Sequence, residues 1–127
     1  MFVTFNSMNT WETIRKELKL FFEELHIKNN ALLFVALNEA VNNAIFHGSI
    51  DNTTMPTITI SIERESNQLT MSVTHNGIGI DPKLVSDMKP ADHYLDDHGR
   101  GLDIIKLSTD SFWYNETGNE IVMVKNL

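Results

Sequence analysis

Three polar side chains recur at four-residue intervals in an otherwise apolar stretch, residues 37–48. Glu39, Asn43 and His47 are spaced so that on a helix they share one face, each one turn from the next. A carboxylate, a carboxamide and an imidazole are costly to bury among apolar neighbours unless they are paired or used. The row is therefore a candidate for one wall of a functional site.

Two glycine-bearing segments could complete that site, residues 75–80 (HNGIGI) and 98–102 (HGRGL). Glycines let backbone amides approach a ligand closely, and a helix N-terminus favours phosphate. With the polar row they predict a nucleotide-binding domain, although neither segment is a Walker-type loop or has the setting of a dinucleotide fingerprint. Taken singly, each Gly-x-Gly would more often be a simple turn. Glu39 alone would more often be an ion-paired or capping carboxylate, and Asn43 alone would more often be an amide that bonds to the backbone.

Composition limits the class of protein. The chain has 127 residues, 42% hydrophobic and 21% charged, which suits one globular domain over 1–127. A net charge of −7 without a basic cluster disfavours direct nucleic-acid binding and favours a protein partner. The chain contains no cysteine, which excludes disulfides and thiolate metal sites. No apolar run reaches the roughly 18 residues of a membrane span, and no signal peptide is evident. We expect a cytoplasmic protein that does not bind membranes.

Hydrophobic periodicity predicts the elements that position these residues. Helices are expected at 10–27, opened by a capping box of Asn9 and Glu12, and at 31–47, stopped by Gly48. A third, short helix is expected after Gly101. Alternating or β-prone segments predict strands at 2–5, 57–63, 69–74, 112–114 and 121–124, the last two joined by a turn at Gly118 and Asn119.

This order of elements is that of an α+β fold, a two-layer sandwich with a mixed, mostly antiparallel sheet covered on one face by helices. Strand parity places His75 on the same face as Val73, toward the helices. The segment at about 80–98 has no periodicity and is expected to be a mobile lid. Two further expectations are a core position for the Phe112 and Trp113 pair and surface positions for three histidines, His26, His93 and His98.

The polar row and the two glycine-bearing segments, in this order and spacing, resemble the sequence boxes of the GHKL nucleotide-binding superfamily. This superfamily has the Bergerat ATP-binding fold and includes gyrase, Hsp90, histidine kinases and MutL. Residues 39–43 resemble its N box, 76–80 its first glycine box and 99–102 its second. The short chain and the runs 99–105 (GRGLDII) and 118–125 (GNEIVMVK) look most like the anti-sigma-factor serine kinases of bacteria. The resemblance covers about residues 8–126.

The resemblance implies ATP and Mg²⁺ as ligands and assigns roles to individual residues. Asn43 would hold Mg²⁺ against the phosphates, and Glu39 would be the general base that takes a proton from a partner's serine or from water. The glycines of the first box would let the loop pass over adenine and ribose, and the second box would cradle phosphates. The implied cofactor-binding residues are Asn43, His75, Gly77, Gly79, Gly99, Arg100, Gly101 and Leu102.

The implied function is that of an ATP-dependent protein serine/threonine kinase. It would phosphorylate an anti-anti-sigma (STAS-like) partner, sequester a sigma factor, or do both in transcription regulation. The family also implies a homodimer.

His75 departs from the family pattern. The first glycine box of the family opens with an Asp that accepts a hydrogen bond from the adenine amino group. A neutral imidazole accepts only one such bond, and only in one tautomer. Losing the charged acceptor would cost about 1.5–3 kcal/mol, roughly tenfold to a hundredfold in affinity. The alternatives are therefore a nucleotide-impaired pseudo-kinase that serves only as a protein-binding module, and a free-standing ATPase.

Overall fold

A computed structural model describes residues 1–48, 54–78 and 97–127. The elements in chain order are β1 (Phe2–Phe5), α1 (Met8–Glu24), α2 (Asn30–Gly48), β2 (Ile58–Glu65), β3 (Gln68–His75), α3 (Asp97–Ser108), β4 (Ser111–Tyr114) and β5 (Glu120–Asn126). The expected order is confirmed for these residues. The expected lid lies outside them, except for residues 97–98, which open α3.

The five strands form one sheet in the order β1-β2-β3-β5-β4, and every neighbouring pair is antiparallel. Alternate residues of the inner strands face the helices, and Ile60, Met71 and Met123 are fully buried. Burying each such side chain contributes about 1.5–3 kcal/mol, which holds the helical layer on this face. The expected α+β sandwich is confirmed, with an antiparallel sheet.

The helix α1 begins earlier than its periodicity predicts. Its N-cap is Ser7, whose Oγ accepts a hydrogen bond from the Thr10 amide at 3.2 Å. The expected capping box of Asn9 and Glu12 is therefore wrong, because both residues already lie inside the helix. Trp11, in the first turn, stacks on Phe5 with ring centroids 5.2 Å apart, which joins α1 to β1.

The helix α2 carries the polar row. Its core face is formed by small and aliphatic residues that are at most 5% exposed: Leu33, Ala36, Leu37, Ala40, Val41 and Ala44. Glu39 and Asn43 lie beside this face and are half-buried. Packing of the apolar face thus fixes the direction in which both polar side chains leave the helix.

The strand β4 corrects one expectation about the core. Phe112 and Tyr114 pack against the core, whereas Trp113 is 50% exposed. The reason is strand alternation, which sends neighbouring side chains to opposite faces, so that Phe112 and Trp113 cannot both be buried on one side. The turn to β5 lies where expected, with Gly118 at φ 71°.

Within the described ranges, no helix combines the length and apolar character needed to cross a lipid bilayer.

Candidate functional site

Glu39 and Asn43 of α2 are both half-buried. Neither side chain forms a hydrogen bond or ion pair within the described part of the chain. Their polar atoms remain open to solvent, because no buried side-chain oxygen or nitrogen among the described residues lacks a partner. Asn38 shows the contrast: its Nδ2 donates to the Phe34 carbonyl at 2.9 Å, a common arrangement for a helix-interior amide. The capping, ion-paired and backbone-bonded alternatives for Glu39 and Asn43 are therefore not what the structure shows.

Gly101 of α3 lies directly against these two side chains. A Cβ placed on Gly101 would come within 2.9 Å of Glu39 Oε2 and 3.6 Å of Asn43 Nδ2. Only glycine lets α3 approach α2 this closely while the carboxylate keeps its position. The structure thus brings Gly101 of the second glycine segment against the predicted general base and the predicted Mg²⁺ ligand, both of which are distant from it in sequence.

The start of α3 differs from expectation. The helix was expected to follow Gly101, but it begins at Asp97, so Gly99 and Arg100 lie in its first turn and Gly101 and Leu102 beyond it. The amides left free at a helix start belong to the first turn. A phosphate at this end would therefore meet amides of residues 97–100 rather than that of Leu102. The Leu102 side chain is 5% exposed and belongs to the core.

The first glycine segment packs against the C-terminal end of α2. A Cβ on Gly77 would lie 1.6 Å from the Gly48 carbonyl oxygen, and the Ile78 amide donates to that oxygen at 3.3 Å. Gly48 itself lies against His75, since its Cβ would come within 2.8 Å of His75 Nδ1. Glycine at position 77 is thus required by backbone packing, whether or not a nucleotide passes over it. Gly79 lies outside the described residues.

His75 is buried on the helix-facing side of β3, as strand parity predicts. Its Nδ1 accepts a hydrogen bond from the Gly77 amide at 3.1 Å. Its backbone exchanges two bonds with Asn119, from the His75 amide at 2.9 Å and from Asn119 Nδ2 at 3.0 Å. The sequence predicts only a turn at Asn119, because no local pattern shows that this turn packs on the end of β3.

A separate groove of about 450 Å³ lies between α1 and α2. Its lining includes three exposed cations of α1, Arg15, Lys16 and Lys19, and two carboxamides of α2, Asn38 and Asn42. Asn42 is half-buried like its neighbour Asn43 but faces this groove. It therefore provides a matched control for Asn43.

Metal-binding chemistry is limited among the residues that the structure describes. They contain no group of three or more histidine, cysteine, aspartate or glutamate side chains that could hold a metal ion. An exposed position for His26 is confirmed, and His93 lies outside the described residues. A single carboxamide that shares a metal with phosphate groups remains compatible with the site.

The described residues form a two-layer α+β fold in which Glu39 and Asn43 of α2 lie against Gly101 of α3. The chain matches the model of the histidine kinase-like ATPase domain over residues 8–125, and it belongs to that family. A domain of this family implies ATP binding and supports kinase-like character. No curated protein matches the chain.

Proposed function

We propose that the chain binds a Mg²⁺-nucleoside triphosphate between α2 and the start of α3. We further propose that it transfers the γ-phosphoryl group to a serine or threonine of an anti-anti-sigma (STAS-like) protein, and that it sequesters a sigma factor when that partner is absent. The observation that carries the proposal is the pair Glu39 and Asn43. Both are half-buried and open to solvent, have no partner in the described chain, and lie against Gly101.

The residues present fit a Mg²⁺-nucleotide. Mg²⁺ prefers oxygen ligands and is usually held by one or two protein oxygens together with phosphates and water. Asn43 offers one such oxygen without breaking a bond to any other residue that the structure describes. The first turn of α3 offers backbone amides, to which a helix N-terminus adds a favourable field for phosphate. When bound, Mg²⁺ would neutralise charge on the phosphates.

Glu39 has the chemistry of the base. A carboxylate with no ion-pair partner among the described residues can accept a proton from the hydroxyl of a partner serine. Gly101 places no side chain against Oε2, so the carboxylate can keep this position beside α3. The apolar face of α2 holds the helix rigidly, which limits the positions that Glu39 can adopt.

Isothermal titration calorimetry with Mg²⁺-ATP tests the nucleotide site. We expect wild-type binding, a loss of about tenfold or more for Asn43→Ala, and little change for Asn42→Ala. Absence of binding by the wild type contradicts the nucleotide site. Equal losses for the two variants would show that the effect comes from the helix and not from the proposed Mg²⁺ ligand.

Phosphoryl transfer is tested separately with a radiolabelled γ-phosphate and a STAS-like protein as acceptor. Glu39→Gln keeps the shape of the side chain but cannot take the proton, so we expect binding to survive and transfer to be lost. Transfer at the wild-type rate by Glu39→Gln contradicts the role of the base.

His75 supports the pseudo-kinase as a second candidate. Because its Nδ1 already accepts the Gly77 amide, the ring lacks the second acceptor that an adenine amino group would need. If nucleotide has no effect on the wild type while His75→Asp binds Mg²⁺-ATP, the protein-binding module is the better description.

A further inference from the structure

The groove between α1 and α2 concentrates positive charge on an acidic chain. Three of the chain's 10 lysines and arginines line it, Arg15, Lys16 and Lys19, although the net charge is −7. All three side chains are exposed. Of the described residues that line the groove, none is an aspartate or a glutamate. The groove is therefore a local region of positive potential.

The carboxylates of α1 do not neutralise this charge. Glu12 lies four residues before Lys16, and Glu23 lies four residues after Lys19, which is a spacing at which opposite charges on a helix can pair. Neither pair forms, and within the described part of the chain Arg15, Lys16 and Lys19 have no ion-pair partner. The three cations are therefore available to a ligand.

The cations are also spread along the helix. Arg15 and Lys19 are one turn apart, which is about 6 Å along the helix axis. A row of carboxylates along a peptide can pair with cations at this spacing, whereas a single compact anion meets fewer of them. The arrangement thus favours an extended acidic ligand.

Apolar side chains accompany the charge. Phe34 and Val35 line the groove, and Val35 is 38% exposed. Two exposed leucines lie one helical turn from lining residues, Leu32 from Val35 on α2 and Leu20 from Lys16 on α1. Exposed apolar surface that is rimmed by polar residues is typical of protein–protein contacts. A ligand that is only an anion would leave this surface in water.

We propose that the groove binds an acidic segment of a partner protein, in which aspartates or glutamates flank an aliphatic or aromatic residue. The carboxylates would pair with the three cations, and the apolar residue would pack on Phe34 and Val35. Asn38 adds a polar contact, because its Oδ1 has no hydrogen bond to another described residue and can accept one from the segment's backbone.

This binding surface goes beyond the proposed function, since it is separate from the contact of Glu39 with Gly101 and requires no nucleotide. Exposed ion pairs are individually weak, so the cations would mainly steer the partner and select its charge. The apolar contact would supply most of the affinity.

Selection from random peptides displayed on phage, with the full chain as bait and no nucleotide present, tests the proposal. We expect the selected peptides to be enriched in aspartate and glutamate next to leucine, isoleucine or phenylalanine. A selected peptide is then labelled, and its affinity is measured by fluorescence anisotropy. The affinity should fall when salt is raised from about 0.1 M to about 1 M, because the screening length shortens from about 10 Å to about 3 Å.

Variants locate the peptide on the chain. Lys19→Glu should weaken binding about threefold to tenfold, whereas Lys106→Glu, the same change at an exposed lysine of α3, should not. Val35→Ser should weaken binding about fivefold, and valine and serine have similar helix propensities. Its control is Leu107→Ser, at a residue of α3 that is 86% exposed. Circular dichroism checks that each variant is folded, and Lys19→Gln serves if the charge reversal is not.

The other occupants of the groove give different results. Selection of basic or uncharged peptides, or no selection, overturns the proposal, as does equal binding to Lys19→Glu and Lys106→Glu. If inorganic phosphate or a single-stranded oligonucleotide displaces the peptide and Val35→Ser binds normally, the groove is a general anion site. If no peptide is selected and Lys19→Glu converts a dimer to a monomer in sedimentation velocity, it is a contact between two copies. Either result overturns the proposal, whereas losses confined to Lys19 and Val35 support it.

Discussion

Replacing Gly101 by alanine should separate stability from activity. The new Cβ would lie 2.9 Å from Glu39 Oε2, the tip of a flexible side chain that can rotate away. The next contact, 3.6 Å from Asn43 Nδ2, is an ordinary van der Waals distance. Alanine in a helix interior is favoured over glycine by about 0.5–1 kcal/mol. The free energy of unfolding should therefore stay the same or rise by up to about 1 kcal/mol, or about 3–5 °C in Tm.

Activity should respond in the opposite direction. The added methyl group occupies the space beside the Glu39 carboxylate and forces that group to move. A displacement of about 1 Å at a reacting group can lower a rate about a hundredfold. Gly101→Ala should thus lose most phosphoryl transfer while it unfolds at the same or a higher temperature.

Thermal unfolding followed by circular dichroism, combined with the transfer assay, measures both effects. In a Glu39→Ala background no carboxylate lies near the new Cβ. Gly101→Ala should then raise the free energy of unfolding only by the higher helix propensity of alanine. Gly118→Ala is the control in a turn: its φ of 71° disfavours a side chain, so it should lose about 1 kcal/mol of stability without touching the site. The reasoning is refuted if Gly101→Ala loses more than about 2 kcal/mol or transfers at the wild-type rate.

Three further outcomes follow from the packing and titration of the fold. Gly77→Ala should destabilise by about 3 kcal/mol or more in denaturant unfolding, because its Cβ would overlap the Gly48 carbonyl, a backbone atom that cannot rotate away; a loss below about 1 kcal/mol would contradict this contact. Ser7→Ala should lose about 1 kcal/mol by removing the N-cap of α1, whereas Asn9→Ala should be nearly neutral. Burial raises the pKa of Tyr114 from 10.0 to about 12. Because the unfolded state ionises first, stability should be intact below pH 10 and fall by about 2–3 kcal/mol between pH 10 and 12; Tyr114→Phe should lack this fall, and equal alkaline curves for the two proteins would contradict it.

The element order was predictable because its signals are local. The spacing of Glu39 and Asn43 and the alternation around Val73 and His75 are properties of single segments, and the structure confirms the faces they imply for the strand. Element ends were less predictable. Ser7 and Asn9 are both residue types that favour the N-cap position, so the sequence does not decide between them. The hydrogen bond from the Thr10 amide to Ser7 Oγ shows that Ser7 caps the helix.

The start of α3 was misjudged for a related reason. Glycine is a poor helix former, so Gly99 and Gly101 suggest a loop before the helix. In the structure the helix includes both, and Gly101 is explained by the close approach of Glu39. A packing requirement between two helices overrides the intrinsic preference of the residue, and it is invisible in a single segment.

The amino-acid sequence alone determined the class of fold and the buried faces of its helices and strands, and it identified the residues predicted to meet a nucleotide, because hydrophobic period and side-chain chemistry are carried by neighbouring residues. Tertiary structure alone decided which distant groups touch: Gly101 against Glu39, and Gly77 against Gly48. It also decided that Nδ1 of His75 accepts a hydrogen bond, since that depends on an amide positioned by the packing of a turn on a helix end.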